Sequence, residues 1–388
     1  MAEKVRAAVL TAPGRYEIQE FDRPVLPDGA LLMEIEMSGI CGTDKHTYLG
    51  ETKQYAGTPA ESDTPFPIIQ GHENVGVVSE ITPHAAENLE FYGRRLKVGD
   101  RIVMCPDIVC GHCYECKHVM GYVWCENSDC YGNSYSSADW PHLMGGWSEQ
   151  MYIRPDTFVY KVPNGLSPRV AVLAELMACA ASLDKVKEFS SMAYEGFNSG
   201  DTVVVIGSGP LGLLHIAKAD IMGAGQIIAT DLSETRLAFA KKMGADHTIN
   251  VSTTTPEERI ELVRELTNGR GADVVLHMAN RPASFIEGIE MLKRGGMMLE
   301  MGVFADTGDV SINVHRHVCS KNIRLIGLTN HPSTGYGPGL TLLERYADRY
   351  PFDEMVSHEF GLDEVDLAMR TSMSTESLKV AMVPALGR

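Results

Sequence analysis

The chain has 388 residues, 44% hydrophobic and 22% charged, which is enough for two or three soluble domains with substantial cores. Its 34 basic and 51 acidic residues leave a net charge of −17 with no Lys/Arg cluster to offset it, which argues against nucleic acid or an anionic membrane as a partner. No apolar run reads as a signal peptide or membrane span, so the expected location is the cytoplasm, where nine cysteines favour metal over disulfides.

Short apolar runs separated by Gly and Pro fill the first 165 or so residues and predict a β-rich domain: 6–10, 31–37, 74–81, 101–104 and 151–153. Within it, Cys41-Gly42-Thr43-Asp44-Lys45-His46 and Gly71-His72-Glu73 together supply a thiolate, an imidazole and a carboxylate. That donor set suits a catalytic zinc with one position left for water or substrate. Further on, Cys110, Cys113, Cys116 and Cys125 put four thiols within sixteen residues. Their spacing predicts a closed zinc-thiolate tetrahedron, which has no open position and serves structure.

From about residue 201 to 327 the pattern changes to buried-looking strands alternating with amphipathic helices. The strands are 202–206, 226–230, 247–250, 273–278, 297–301 and 323–326; the helices include 211–222, 234–243 and 257–266. Six strands joined by helices predict a doubly wound parallel sheet. Gly207-Ser208-Gly209-Pro210-Leu211-Gly212 follows the first strand and opens a helix: a tight turn, a close backbone approach for a pyrophosphate, and close helix packing. Asp231 ends the second strand, where its carboxylate suits an adenosine ribose and repels a 2′-phosphate, favouring NAD over NADP. Arg236, just beyond, is a further candidate cofactor contact. The tail after residue 331 carries a helical stretch at 341–346 and an apolar run at 380–383, too short to fold alone.

In these motifs, and in Val98-Gly99-Asp100-Arg101-Ile102, Gly145-Gly146 and Glu149, the chain resembles the zinc-dependent medium-chain alcohol dehydrogenases over essentially its full length, in particular their sorbitol and polyol dehydrogenase branch. The resemblance implies a GroES-like β-barrel catalytic domain at 1–168, a Rossmann NAD-binding domain inserted at 169–330, and a segment at 331–388 that completes the first domain, with the active site between them. It also implies two zincs per chain. Cys41 and His72 would hold the catalytic ion, and Glu73, Glu175 or Cys179 would complete the shell. Asp44 would orient a ligand, and Thr43 and His46 would relay a proton. Gly302 and Val303 would meet the nicotinamide carboxamide through backbone, and Lys379 the pyrophosphate. The segments 52–65 and 82–96 are longer than the family's and are expected to be loops, and the long gap before Cys125 leaves Cys130 as a competing ligand. The implied substrate is a secondary, polyol or cyclic alcohol, with Tyr48, Trp140, His142, Met177 and His331 as candidate pocket residues. A lyase or isomerase on the same scaffold, or a zinc-free quinone reductase or binding protein, are the alternatives. Relatives form dimers or tetramers, so a homo-oligomer is expected.

Overall fold

The computed structural model describes residues 4–54, 56–58, 61–119, 124–188, 196–331 and 333–387. Two compact units divide after Ala178 and again after His331, against the expected limits of 168 and 330. The first comprises Met1–Ala178, Pro332–Ala347 and Phe352–Arg388; the second comprises Cys179–His331 with Asp348–Pro351.

In the second unit six parallel strands form one sheet. Numbered along the chain they run Thr202–Ile206, Gln226–Asp231, His247–Asn250, Ala272–His277, Leu292–Glu300 and Arg324–Gly327, and their spatial order is 3-2-1-4-5-6. Val203–Val205, Ile227–Ala229, Val274–Leu276 and Met297–Leu299 are buried because helices cover both faces, so these strands read as continuous apolar runs with no alternation. Strand order reverses between the first and fourth strands, which opens a crevice at their carboxyl ends. The intervening helices are capped as their sequences dictate. Ser233 accepts from the Arg236 amide, and Thr255 with Glu258 closes a capping box at Pro256–Leu266. The helix joining the fourth and fifth strands is Pro282–Met291. It passes directly into the fifth strand at Leu292, so that strand starts five residues before the predicted 297.

The first unit is built on a seven-stranded sheet with the path Val159–Lys161, Arg101–Met104, Glu73–Ile81, Leu31–Gly39, Lys379–Met382, Val356–Phe360; Gln150–Ile153 adds a further pairing to Leu31–Gly39. A smaller sheet joins Arg15–Asp22, Lys4–Ala12 and Ile68–Ile69. Trp147, Tyr131, Leu31, Leu32 and Met33 are fully buried in the core between these strands. The C-terminal strand enters the sheet by pairing Ala381 with Gly39 and Met382 with Ser38, so the tail completes this unit. Two insertions expected to be loops carry structure. Thr82 caps a helix over Pro83–Asn88, and Lys53–Gln54 pairs with Ser62–Asp63; the rest of that insertion at 55, 59 and 60 lies outside the described residues. The helix expected at 341–346 spans Tyr336–Arg345, and a second one, Val365–Ser372, follows it. Among the described residues no helix is long and apolar enough to cross a membrane.

Candidate active site

Cys41 is the N-cap of the helix Gly42–Leu49, and Asp44 at the third helical position returns its carboxylate to the Cys41 amide at 2.8 Å. The same carboxylate takes the Gly71 amide and lies 3.7 Å from His72 Nδ1. One fully buried aspartate therefore joins the Cys41 and Gly71 backbones and places a negative charge beside His72. The ligand atoms of Cys41, His72 and Glu73 all fall within 4.8 Å of one another. Thr43 Oγ1 sits 3.9 Å from Cys41 Sγ, and His46 at the far end of the helix contacts Glu51 Oε2 through Nδ1 at 2.8 Å.

Charge explains why this pocket suits a metal. Asp44 and Glu73 are fully buried and Glu175 nearly so, and the buried amine facing them is Lys379. Burial alone would depress the His72 imidazole, but Asp44, Cys41 and Glu175 outweigh it and hold it well above its ordinary value. Burial pushes the Asp44 carboxyl up against the pull of His72. Buried carboxylates gathered around one sulfur and one imidazole make the donor set of a zinc site.

Lys379, the candidate for the pyrophosphate, is 2% exposed, donates to the Ile40 carbonyl at 2.9 Å and pairs with Glu73. Gly39 makes this possible, since a Cβ there would lie 2.0 Å from Glu73 Oε2 and 2.7 Å from Lys379 Cε. Burial acts to lower the amine and Glu73 more than compensates, so Lys379 stays charged. Its basic side chain read as a surface contact because the sequence does not reveal a carboxylate 306 positions earlier. Glu175 lies in the first turn of Ala174–Ala180 and does not join the Cys41, His72, Glu73 group; Cys179 belongs to the second unit. Of the pocket candidates, Tyr48 stacks on Tyr16, His142 stacks on Phe21, Met177 is buried, and Trp140 is exposed against the edge of Tyr152.

Cys110, Cys113, Cys116 and Cys125 converge with their sulfurs within 4.8 Å. The amides of Cys113, Cys116 and Cys110 point at the sulfurs of Cys110, Cys113 and Cys125 at 3.3 to 3.5 Å. Backbone amides from His112 and Cys113 draw the Cys110 thiol down to about 6, toward the thiolate that binds metal. Cys130 instead pairs in a strand with Asp107 and accepts from Asn133, so it is no competitor.

In the second unit Gly207 has φ +94°, and a Cβ on Gly212 would lie 1.9 Å from the Gly207 carbonyl oxygen. Gly209, the N-cap of Pro210–Ile221, has open space where its side chain would be. Asp231 shapes the loop: one oxygen takes the Ser208 amide at 2.8 Å and the other the Ser233 amide at 2.9 Å, Arg236 is 4.0 Å away, and each oxygen keeps a further lone pair. The carboxylate thus fixes the glycine turn, while Ser233, not Asp231, caps the next helix. Gly302 and Val303 both donate their amides to Glu300, a residue with no motif to announce it.

Residues 27–164 match the family model described as "Alcohol dehydrogenase GroES-like domain", and residues 210–335 match "Zinc-binding dehydrogenase". The erythritol/L-threitol dehydrogenase of Mycolicibacterium smegmatis is 31% identical over 99% of this chain and 98% of its own. The 5-exo-hydroxycamphor dehydrogenase of Pseudomonas putida is 30% identical over 94% of each. Among solved structures, an alcohol dehydrogenase from Thermotoga maritima superposes with a TM-score of 0.87 at 31% identity, covering 98% of this chain and 100% of that one.

Proposed function

The chain belongs to the zinc-dependent medium-chain alcohol dehydrogenases and transfers hydride between an alcohol and a nicotinamide cofactor; from that premise we propose an NAD-dependent dehydrogenase of secondary or polyol alcohols with two zincs per chain. The observation that carries the reading is the convergence of Cys41, His72 and Glu73 around one point, held by Asp44. Zinc there would stabilise the alkoxide form of the alcohol, and the nicotinamide would accept hydride from its carbinol carbon. The chain's own residues then have defined tasks. Asp44 keeps the imidazole oriented. The Thr43 hydroxyl, beside Cys41, would take the alcohol proton as it releases its own to the cofactor's ribose hydroxyls, and His46, paired with Glu51, would pass that proton to solvent. Glu73 or Glu175 supplies the remaining donor, and Cys110, Cys113, Cys116 and Cys125 hold the second ion.

NAD is favoured because the Asp231 carboxylate would face a 2′-phosphate with like charge. The alcohols named for the relatives, erythritol or L-threitol and 5-exo-hydroxycamphor, support the secondary or polyol alcohol class. Among the described residues the strand Arg324–Gly327 has a sheet neighbour on one side only, and Leu325 within it is exposed, which supports a homo-oligomer. A reducing compartment fits the thiol ligands. Zinc analysis of the purified protein with an alcohol panel, run with NAD⁺ and NADP⁺ side by side, tests the reading. Two zincs and NAD⁺ reduction with a secondary alcohol are expected. One zinc per chain, or a strong NADP⁺ preference, would overturn the corresponding part.

A further inference from the structure

The helix Gly42–Leu49 carries Cys41 at its N-cap and Thr43 and Asp44 in its first turn, and the hairpin of Lys4–Ala12 and Arg15–Asp22 holds its other end. The Gly14 amide at the hairpin turn donates to the Tyr48 carbonyl at 2.8 Å. The Tyr16 ring stacks on the Tyr48 ring, with centroids 5.6 Å apart and planes 14° from parallel. Tyr16 makes a second contact through its hydroxyl, which donates to Oε1 of Gln70, a fully buried side chain whose Nε2 donates to the Asp44 carbonyl at 3.0 Å. Chemistry sets the direction of this relay. A carbonyl only accepts, so Gln70 turns its NH₂ to Asp44 and its oxygen to Tyr16, and the phenol must then donate. The Gln70 backbone is pinned as well: its carbonyl takes the Trp147 amide at 3.0 Å, and the Trp147 ring tilts against Tyr16 with centroids 5.8 Å apart.

Gln70 stands immediately before Gly71-His72-Glu73. Its side chain therefore joins the backbone that bears the His72 and Glu73 donors to the helical turn that bears Cys41, through a bond separate from those of the Asp44 carboxylate. A buried amide is retained where both its oxygen and its nitrogen are bonded, and here one of the two partners is the metal-bearing helix. We propose that Tyr16 and Gln70 are positioning residues, a relay that fixes the spacing of the Cys41 and His72 segments and so sets the metal affinity of that site. The inference rests on the zinc reading above. It makes the hairpin that grips the helix part of the metal site's support.

The test compares the wild-type protein with Tyr16→Phe and Gln70→Leu, substitutions close in volume to what they replace. Zinc is titrated away with a chelator, Cys41→Ser marking the step that belongs to the Cys41 and His72 site. Cobalt(II) absorption after metal exchange, and the urea midpoint by tryptophan fluorescence, are read on the same proteins. The dissociation constant for zinc at Cys41 and His72 should rise about tenfold in Gln70→Leu and about threefold in Tyr16→Phe, the low end of what losing a ligand-orienting partner costs. Zinc at Cys110, Cys113, Cys116 and Cys125 should keep its wild-type affinity, and the cobalt(II) bands of the Cys41 site should shift in both variants. Because the phenol acts through the amide, the double variant should match Gln70→Leu within about twofold. A lowered urea midpoint with wild-type zinc affinity and unmoved cobalt bands would show a merely structural role and overturn the proposal. Parallel weakening of both zincs would overturn it too. If Gln70→Leu fails to fold, Tyr16→Phe, which removes one oxygen and keeps the stacked ring, decides alone, and wild-type zinc affinity in it overturns the relay. A wild-type protein holding zinc only at the four-cysteine site would instead sink the zinc reading beneath the proposal.

Discussion

Replacing Lys379 with methionine separates a structural role from a cofactor role for this residue. Methionine keeps most of the volume, so little cavity is created. What is lost is the ammonium that donates to Ile40 and neutralises Glu73, and Glu73 is fully buried. Removing one partner of a buried ion pair costs about 3–5 kcal/mol, because the other charge stays behind unpaired. All three tryptophans, Trp124, Trp140 and Trp147, lie in the first unit, so their fluorescence follows its unfolding without contribution from the nucleotide unit. With a urea dependence on the order of 1–3 kcal/mol per molar, the fluorescence midpoint should fall by roughly 1–5 M. Adding Glu73→Gln to Lys379→Met removes the stranded charge and should restore at least half of that shift. ADP-ribose affinity should change less than threefold. A midpoint within about 0.3 M of wild type, accompanied by a tenfold loss of ADP-ribose affinity, would refute the buried pairing and return Lys379 to the pyrophosphate.

Other outcomes follow from the same geometry. Asp231→Ser should move the ratio of kcat/KM for NAD⁺ over NADP⁺ toward NADP⁺ by at least about tenfold, since it removes a charge-assisted acceptor worth about 1.5–3 kcal/mol; an unchanged ratio would show that no ribose lies beside it. Cys113→Ser should drop bound zinc from two to one per chain, read by metal analysis, and lower the tryptophan-reported midpoint before it alters turnover of folded protein. Burial pushes His215, inside Pro210–Ile221, down to about 4. Between its ordinary value near 6.5 and about 4 the unfolded chain therefore binds a proton that the folded unit refuses. Stability of the second unit should fall as pH drops through that window, by up to about 3 kcal/mol, with no loss from this group above it. Urea unfolding followed by far-UV circular dichroism at pH 7 and pH 5 checks the slope, and His215→Leu should flatten it.

The nucleotide unit was largely legible in the sequence because its strands are buried on both faces and its glycines stand where backbone contact forbids any Cβ. Boundaries were missed where a helix runs straight into a strand, as at Leu292, since no Gly or Pro punctuates the junction. In the first unit the cysteine lobe and the Cys41 and His72 pair announce themselves by residue type and spacing. Lys379 and Glu300 do not, because their roles arise from partners distant in sequence or from backbone amides, and neither leaves a motif. The inserted segment at 82–96 reads as a loop because its helix is only six residues long, announced locally by the Thr82 cap and by Pro83 at its first turn.

The hydrogen bond from Lys379 to Ile40 spans 339 positions. During synthesis, then, the Cys41 and His72 segments emerge well before the cation that balances Glu73, and the whole of Cys179–His331 is made between them. That intervening stretch is contiguous and can fold on the nascent chain, whereas the metal pocket is complete only once Lys379 has emerged. A ribosome-stalled chain truncated before Lys379 should accordingly hold a formed nucleotide unit and an unfinished metal site.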